Sequence, residues 1–383
     1  MSLRSVADLP LEGERVFLRA DLNVPLRDGT VADDTRIRAS LATLEYVRKQ
    51  GGRVVLASHL GRPGGRRDED LSLRPVAEAL GITLAPDCIG SEVEAQVGAL
   101  ANGEALLLEN LRFHPGETAN DPEFVSALAR LCDVYVSDAF GSAHRAHAST
   151  AGLARACPHR AAGYLLAREV EALSRVRDAP DRPYLCILGG AKVSDKLAVL
   201  EALCERADLV AIGGAMAFTF LLAQGNNVGR SLVEPDQLDT ARRLLEDPAK
   251  ILLPVDHVVA RGPEDAAAAR TVTEIPDDLA AYDIGPASVE AIRERLAGVR
   301  TVFWNGPLGL FETAPFDRGT RAVAELVAHS PAYSVVGGGD SLSAVRLAGV
   351  GERISHLSTG GGASLEFLEG RTLPGIEALE VPE

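Results

Sequence analysis

A two-lobed α/β fold, each lobe a mostly parallel sheet covered by helices and the two joined by a hinge helix, is what this sequence predicts. Three observations carry that reading. Short apolar runs recur along the chain, each followed by a glycine or polar turn and then by a helix-period segment, which is the rhythm of βαβ units. The length of 383 residues exceeds what one ordinary core holds, and a prior of roughly 100–200 residues per domain makes two the simplest division. A helical stretch at Tyr164–Arg177, with Leu166, Val170 and Leu173 on one face, runs into Ala179-Pro180-Asp181-Arg182-Pro183, where two prolines make a stiff linker.

The strands expected in the first half are Val16–Arg19, Arg53–Ala57, Ala105–Leu108 and Val134–Val136. Those in the second are Tyr184–Leu188, Leu209–Ile212, His257–Val259, Thr301–Trp304, Ser334–Val336 and His356–Leu357. Amphipathic stretches lie between them, such as Thr35–Gln50 with Ile37, Leu41, Leu44 and Val47 on one face and Gly51-Gly52 as the stop. The longest apolar run, Leu209 to Ala223, is interrupted by Gly213-Gly214 and falls short of the roughly 18–20 residues a bilayer requires. It reads as a strand, a turn and a buried helix start. The expected lobes are therefore 1–165 and 181–367, with the hinge helix over 166–180.

Composition narrows the partners. An apolar fraction of 46% and a charged fraction of 24% are ordinary for a globular enzyme. A net charge of −15 argues against nucleic-acid and anionic-membrane partners, which need a basic face. Small anions must then be held by local arginines. Cys88, Cys132, Cys157, Cys186 and Cys204 are odd in number and contain no C-x-x-C pair, which suits reduced thiols. With no signal-peptide pattern at the N-terminus, a cytoplasmic monomer is expected.

Ligands of open parallel sheets bind beyond the carboxyl ends of the strands, and there the two halves differ. After the first-half strands stand Asp21, Asn23, Ser58-His59, Arg62, Glu109-Asn110, Arg112, Asp138 and His144-Arg145-Ala146-His147. Arg19, Arg36, Arg62, Arg112 and Arg145, gathered at strand ends and helix starts, suit a ligand carrying phosphate and carboxylate groups, since guanidinium forks pair both. After the second-half strands stand Gly189-Gly190, Gly213-Gly214, Asn305-Gly306-Pro307, Gly337-Gly338-Gly339-Asp340 and Thr359-Gly360-Gly361-Gly362. Such turns let backbone N–H groups approach the phosphates of a nucleotide at helix N-termini.

Lysine is scarce, only Lys49, Lys192, Lys196 and Lys250. The i, i+4 pair in GGAKVSDKL is expected to set two ammonium groups on one side of a helix beginning near Ser194, with an anion between them. Asp340 reads both as a helix N-cap and as a carboxylate for Mg²⁺. The histidines lack both H-E-x-x-H and Cys/His ligand spacing, so no zinc site is expected, and there is no P-loop, protein-kinase set or dinucleotide fingerprint.

In this order the motifs RADLNVP (19–25), DDTRI (33–37), SHLGRP (58–63), LLLENLRFHPGE (106–117), SDAFGSAHRAHAST (137–150), GGAKVSDKL (189–197), GGAMAFTF (213–220), WNGPLGLFE (304–312), GGGDS (337–341) and STGGGASLEFLEG (358–370) closely resemble the phosphoglycerate kinase family. The resemblance runs from about Val16 to about Leu379 and implies two Rossmann-like lobes, with residues 368–383 returning to the first. It implies that Asp21, Asn23, Arg36, His59, Arg62, Arg112 and Arg145 bind 3-phosphoglycerate or 1,3-bisphosphoglycerate. It implies that Lys192, Lys196, Asn305, Glu312, Gly338, Gly339, Asp340 and Ser341 bind ATP or ADP, with Glu312 on the ribose and Asp340 on the magnesium. Arg36, Lys192, Lys196 and the amides of Gly361 and Gly362 are implied as the catalytic groups around the phosphoryl in flight. Two departures stand out: Ala215 where the family commonly has a third glycine, and the short arginine-rich GGRRDED after SHLGRP.

The reaction so implied is transfer between a carboxylate and the γ-phosphate of MgATP. A carboxylate is ionised at neutral pH, so no general base is needed, and catalysis reduces to positioning and charge stabilisation after the lobes close. A kinase for another carboxylate, and a nucleotide-binding protein without turnover, remain the alternatives at this stage.

Overall fold

Arg15–Ala20 forms β1, and every residue after the first is buried, as a strand covered on both faces requires. The computed structural model describes residues 3–247 and 249–380. It divides into two compact units. One contains the chain up to Glu171 and takes it back from Thr372, and the other is Ala172–Arg371.

In the first unit, β1 is followed by the short hairpin β2 (Leu26–Arg27) and β3 (Thr30–Val31), then β4 (Arg53–Ala57), β5 (Thr83–Leu84), β6 (Ala105–Leu107), β7 (Val134–Asp138) and β8 (His159–Ala162). The main sheet has the order β5-β6-β4-β1-β7-β8 and all its pairings are parallel. The chain leaves β1 toward β4 and later returns to β7 on the other side, so the order reverses beside β1, where a crevice opens at the strand ends. Val16, Leu18, Val54, Leu56, Leu107 and Val136 form the core beneath, with Ile37, Leu44 and Val47 of the helix Thr35–Lys49 packed against them. The returning segment is tied to this unit by Gly375 N–H on Ala143 O (2.8 Å), Arg155 on Glu377 (2.8 Å) and Arg160 on the carbonyl of Glu380 (2.9 Å).

The second unit contains β9 (Tyr184–Leu188), β10 (Leu209–Ile212), β11 (Ile251–Leu252), β12 (His257–Ala260), β13 (Arg270–Val272), β14 (Ala280–Ile284), β15 (Thr301–Asn305), β16 (Tyr333–Gly337) and β17 (His356–Ser358). Its parallel sheet has the order β11-β10-β9-β15-β16-β17 and reverses between β9 and β15. Leu185, Ile187, Val302 and the wholly buried Trp304 anchor its core. The expected strand at His257 stands outside this sheet. It pairs antiparallel with β13 and β14 over a separate apolar cluster of Phe218, Leu221, Val259 and Ile275.

The helix Tyr164–Asp178 begins against β7. Oδ1 of Asp138 accepts from Leu165 N–H (2.9 Å) and Leu166 N–H (3.1 Å), satisfying two N–H groups that a helix start leaves open. Burial raises the Asp138 carboxyl to about 6, a cost accepted for fixing the helix. At the other end of the helix, within the second unit, Arg177 stacks over Phe367 at 4.0 Å.

Candidate active site

In the first unit the residues beyond β1, β4 and β6 converge. Arg36, in the first turn of the helix Thr35–Lys49, pairs through Nη1 with Asp21 Oδ2 at 2.7 Å, its own side chain 36% exposed. Asn23 spends its side-chain oxygen on the loop after β4, accepting from Gly61 N–H at 2.9 Å. His59 accepts from Arg19 Nη2 through Nδ1 (3.1 Å). Burial, then the charges of Arg19, Arg112 and Arg36, hold His59 well below its usual range. A neutral imidazole accepting at Nδ1 carries its proton on Nε2, so His59 offers a donor to an anion.

Arg112 is 8% exposed, donates from Nη1 to Gly61 O at 2.8 Å and has no partner for Nε. Burial, with Arg145, Arg19 and Arg62 nearby, lowers it to about 10. Arg62 is exposed and Arg145 half-buried. Among the described residues no carboxylate pairs with Arg62, Arg112 or Arg145. Glu117 offsets only part of the repulsion at Arg112, and a phosphate or carboxylate ligand would relieve the rest.

Arg19, one of the five arginines expected to hold an anion, is in place here, and Glu117, for which no site role was expected, builds the pocket with it. Arg19 is 1% exposed and donates to Ser149 Oγ at 2.8 Å and to the carbonyl of Ala20. Glu117 is completely buried and receives Ser149 Oγ (2.6 Å) and Ser149 N–H (3.0 Å). Their chain links β1 to the turn carrying Arg145 and His147, a connection across more than a hundred residues that no local pattern reveals.

In the second unit Lys196 sits at the reversal of the sheet. Its ammonium donates to Gly189 O at the end of β9 (2.6 Å) and to Asn305 Oδ1 (2.7 Å) and Asn305 O (3.1 Å) at the end of β15. Burial lowers it to about 8, against the opposing pull of Asp340 and Asp195. Glycine is required around it. Gly306 has φ +93°, and a side chain there would collide with Gly189 O. Gly338, at φ +92°, would meet the Asn305 amide at 2.9 Å.

The two lysines are not on one helix. Ser194–Lys196 is a single 3₁₀ turn, the α-helix begins at Leu197, and Lys192 lies exposed in the loop before it. Glu234 pins that loop, accepting Val193 N–H (2.5 Å), Ser194 N–H (3.1 Å) and Ser194 Oγ (2.5 Å). Asp340 is not the N-cap of its helix either. Gly338 is, and Asp340 is an exposed residue of the first turn. Ser341 is buried and its hydroxyl accepts Gly306 N–H at 2.6 Å, joining the β15 loop to the helix Gly339–Leu347. Gly361 caps the helix Gly362–Leu368.

A cavity of about 540 Å³ opens beside these turns, lined by Gly190, Gly214, Ala215, Phe218, Leu310, Glu312 and Asp340 among others. Its mainly apolar wall suits an aromatic base, with carboxylates at the rim. Ala215 has φ −65°, so glycine is not needed there. Asp283, also in the wall, is 3% exposed and raised to about 8 by burial. It accepts Gly319 N–H (2.7 Å) and Ile284 N–H (2.9 Å), holding the start of the helix Arg318–His329 beside the loop that carries Glu312.

Comparison with known proteins bears on the chain as a whole. The family model "Phosphoglycerate kinase" matches residues 6–371. The chain is 53% identical to phosphoglycerate kinase of Anaeromyxobacter dehalogenans strain 2CP-C, over 99% of this chain and 100% of that one. It is 53% identical to that of Salinibacter ruber, over 97% and 98%. Among solved structures, phosphoglycerate kinase from Coxiella burnetii superposes with a TM-score of 0.90 at 41% identity, covering 99% of each chain. That from Pyrococcus horikoshii OT3 gives 0.86 at 35% identity, covering 99% and 98%. With sequence and fold matched over nearly the full length, the chain belongs to the phosphoglycerate kinase family.

Proposed function

We propose that the reversible transfer of the acyl phosphate of 1,3-bisphosphoglycerate to ADP, giving 3-phosphoglycerate and ATP, is divided between the two units of this chain. The first unit binds the phosphoglycerate through Asp21, Asn23, Arg36, His59, Arg62, Arg112 and Arg145. The second binds the nucleotide, with base and ribose in the 540 Å³ cavity and the phosphates at Lys192, Lys196, Asn305 and the turn Gly338–Ser341. The observation that carries this reading is the buried, partly unpartnered Arg112 among cations without carboxylate partners.

Asp340 fits a magnesium ion. Its carboxylate is exposed, lines the nucleotide cavity and, among the described residues, has no hydrogen bond or ion pair. Mg²⁺ is usually held by one or two carboxylates together with substrate phosphates. When bound, the ion would neutralise charge on the phosphate oxygens. The protein groups do the remainder. Arg36 faces the acyl phosphate from the acceptor side, Lys192, Lys196 and the amides of Gly361 and Gly362 stabilise it from the nucleotide side, and Glu312 orients the ribose. Transfer in line requires the units to approach and exclude water, with the helix Tyr164–Asp178 as the hinge. No helix among the described residues is long and apolar enough to cross a membrane, and we place the enzyme in the cytoplasm as a monomer.

Calorimetry on the full chain separates the two sites. Arg112→Ala is expected to weaken 3-phosphoglycerate binding by about tenfold or more, on the scale of a charge-assisted hydrogen bond worth roughly 1.5–3 kcal/mol, while leaving MgADP binding unchanged. Asp340→Asn is expected to do the reverse. Equal effects of each variant on both ligands would refute the division.

A further inference from the structure

A second cluster of reactive side chains stands in the first unit, outside the arginine pocket. Asp87 and Cys88 follow the edge strand β5, and His114 ends the turn Leu111–Phe113 that follows β6. One donor atom from each of the three lies within 4.8 Å of the other two. His114 Nε2 is 2.7 Å from Asp87 Oδ1, which also accepts Cys88 N–H at 2.7 Å. The cluster is held from behind. The His114 ring stacks on Phe124 with centroids 5.4 Å apart, and Arg67 donates to Pro86 O at 2.9 Å. Cys88 is wholly buried, whereas the Asp87 and His114 side chains are 41% and 29% exposed, so solvent reaches the oxygen and nitrogen donors and the sulfur closes the inner side.

We propose that Asp87, Cys88 and His114 form a binding site for a borderline transition-metal ion of the zinc class. Thiolate, imidazole and carboxylate are the donors such ions select, and three protein ligands leave a fourth tetrahedral position for water from the exposed side. Bond lengths of about 2.3 Å to sulfur and about 2.0–2.2 Å to nitrogen and oxygen place tetrahedral donors roughly 3.3–3.7 Å apart. On binding, the His114–Asp87 hydrogen bond is therefore replaced by two bonds to the ion, and the three donors, now within 4.8 Å of one another, draw closer around it. Binding releases the Cys88 thiol proton to solvent, and the proton that His114 Nε2 donates to Asp87 must leave that nitrogen, so the bound imidazole carries its N–H on Nδ1. Magnesium does not compete, because it prefers an all-oxygen octahedron. The site is thus chemically distinct from that of the nucleotide's metal, although the turn ending at His114 also carries Arg112.

Cobalt(II) titration of the full chain, freed of metal by a chelator, tests this. The expected result is one Co²⁺ per chain, with a thiolate-to-cobalt charge-transfer band in the near ultraviolet, intense tetrahedral bands in the visible, displacement by Zn²⁺ and a raised unfolding temperature. Cys88→Ser is expected to abolish the charge-transfer band, and His114→Gln to lower affinity by about tenfold or more, a loss in the range seen for perturbed metal sites. Cys132 and Cys157, with sulfurs 3.7 Å apart, are a competing thiol source, so Cys157→Ser must leave the spectrum intact. A featureless titration, a band that survives Cys88→Ser, or one lost in Cys157→Ser would overturn the proposal. Should Cys88→Ser fail to fold, His114→Gln decides the question, because its half-exposed side chain can be replaced without opening the core.

Discussion

Arg36→Ala is expected to lower kcat by about 10²–10³-fold, the loss typical of removing one preorganised charge-stabilising donor, while KM for both substrates changes far less. The reason is positional. Arg36 is fixed by Asp21 at 2.7 Å yet keeps part of its guanidinium exposed at the strand ends, so it can meet charge that develops during transfer without first reorganising. The phosphate of 3-phosphoglycerate would instead be held by Arg62, Arg112 and Arg145, which the substitution leaves in place. Steady-state kinetics in both directions check this. A raised KM with an unchanged kcat would mean that Arg36 binds the ground state and transition state equally.

Lys196→Met is expected to be at least as damaging, with a comparable fall of about 10²–10³-fold in kcat and weaker nucleotide binding as well. The Lys196 ammonium joins the two strand ends at the reversal of the sheet, and its loss leaves Gly189 O, Asn305 O and Asn305 Oδ1 without their shared donor. Methionine preserves the aliphatic stem, so the charge is what the variant removes. The pH dependence has a definite sign. Burial brings the amine down to about 8, so the free enzyme loses this positive charge as pH rises through that value. kcat/KM for MgADP, which reports the free enzyme, should therefore fall between about pH 7 and 9 in the parent and lack that inflection in Lys196→Met.

What could be read from the sequence was whatever a short window carries. Tyr184–Leu188 and Thr301–Asn305 are buried along their whole length, so their continuous apolar runs announced central parallel strands. The strand Ala280–Ile284 was missed because it reads Ala-Ala-Tyr-Asp-Ile, with small residues and an acid where β-branched side chains were expected. Asp283 belongs there because its carboxyl holds the backbone of a distant helix start. His159–Ala162 was missed for a related reason, being an edge strand with no β-branched residue. The geometry of the lysine loop was also misjudged. Its i, i+4 spacing suggested one helical face, but Glu234, forty residues further along the chain, ties the segment into a loop and a 3₁₀ turn. The motifs marked where chemistry gathers and contain Arg19 and Glu117, but the bonds that join those two through Ser149, and the supports Glu234 and Asp283, link remote parts of the chain and have no sequence signature.

The central claim is that the cationic pocket of the first unit presents a phosphorylated carboxylate to a nucleotide held by the second. Its most direct test is ATP consumption with 3-phosphoglycerate and Mg²⁺, coupled to glyceraldehyde-3-phosphate dehydrogenase so that NADH oxidation reports 1,3-bisphosphoglycerate. The account predicts turnover that requires 3-phosphoglycerate, is absent with acetate in its place, and collapses in Arg36→Ala. Absence of turnover in a protein that still binds MgADP by calorimetry would contradict it and leave only a nucleotide-binding unit.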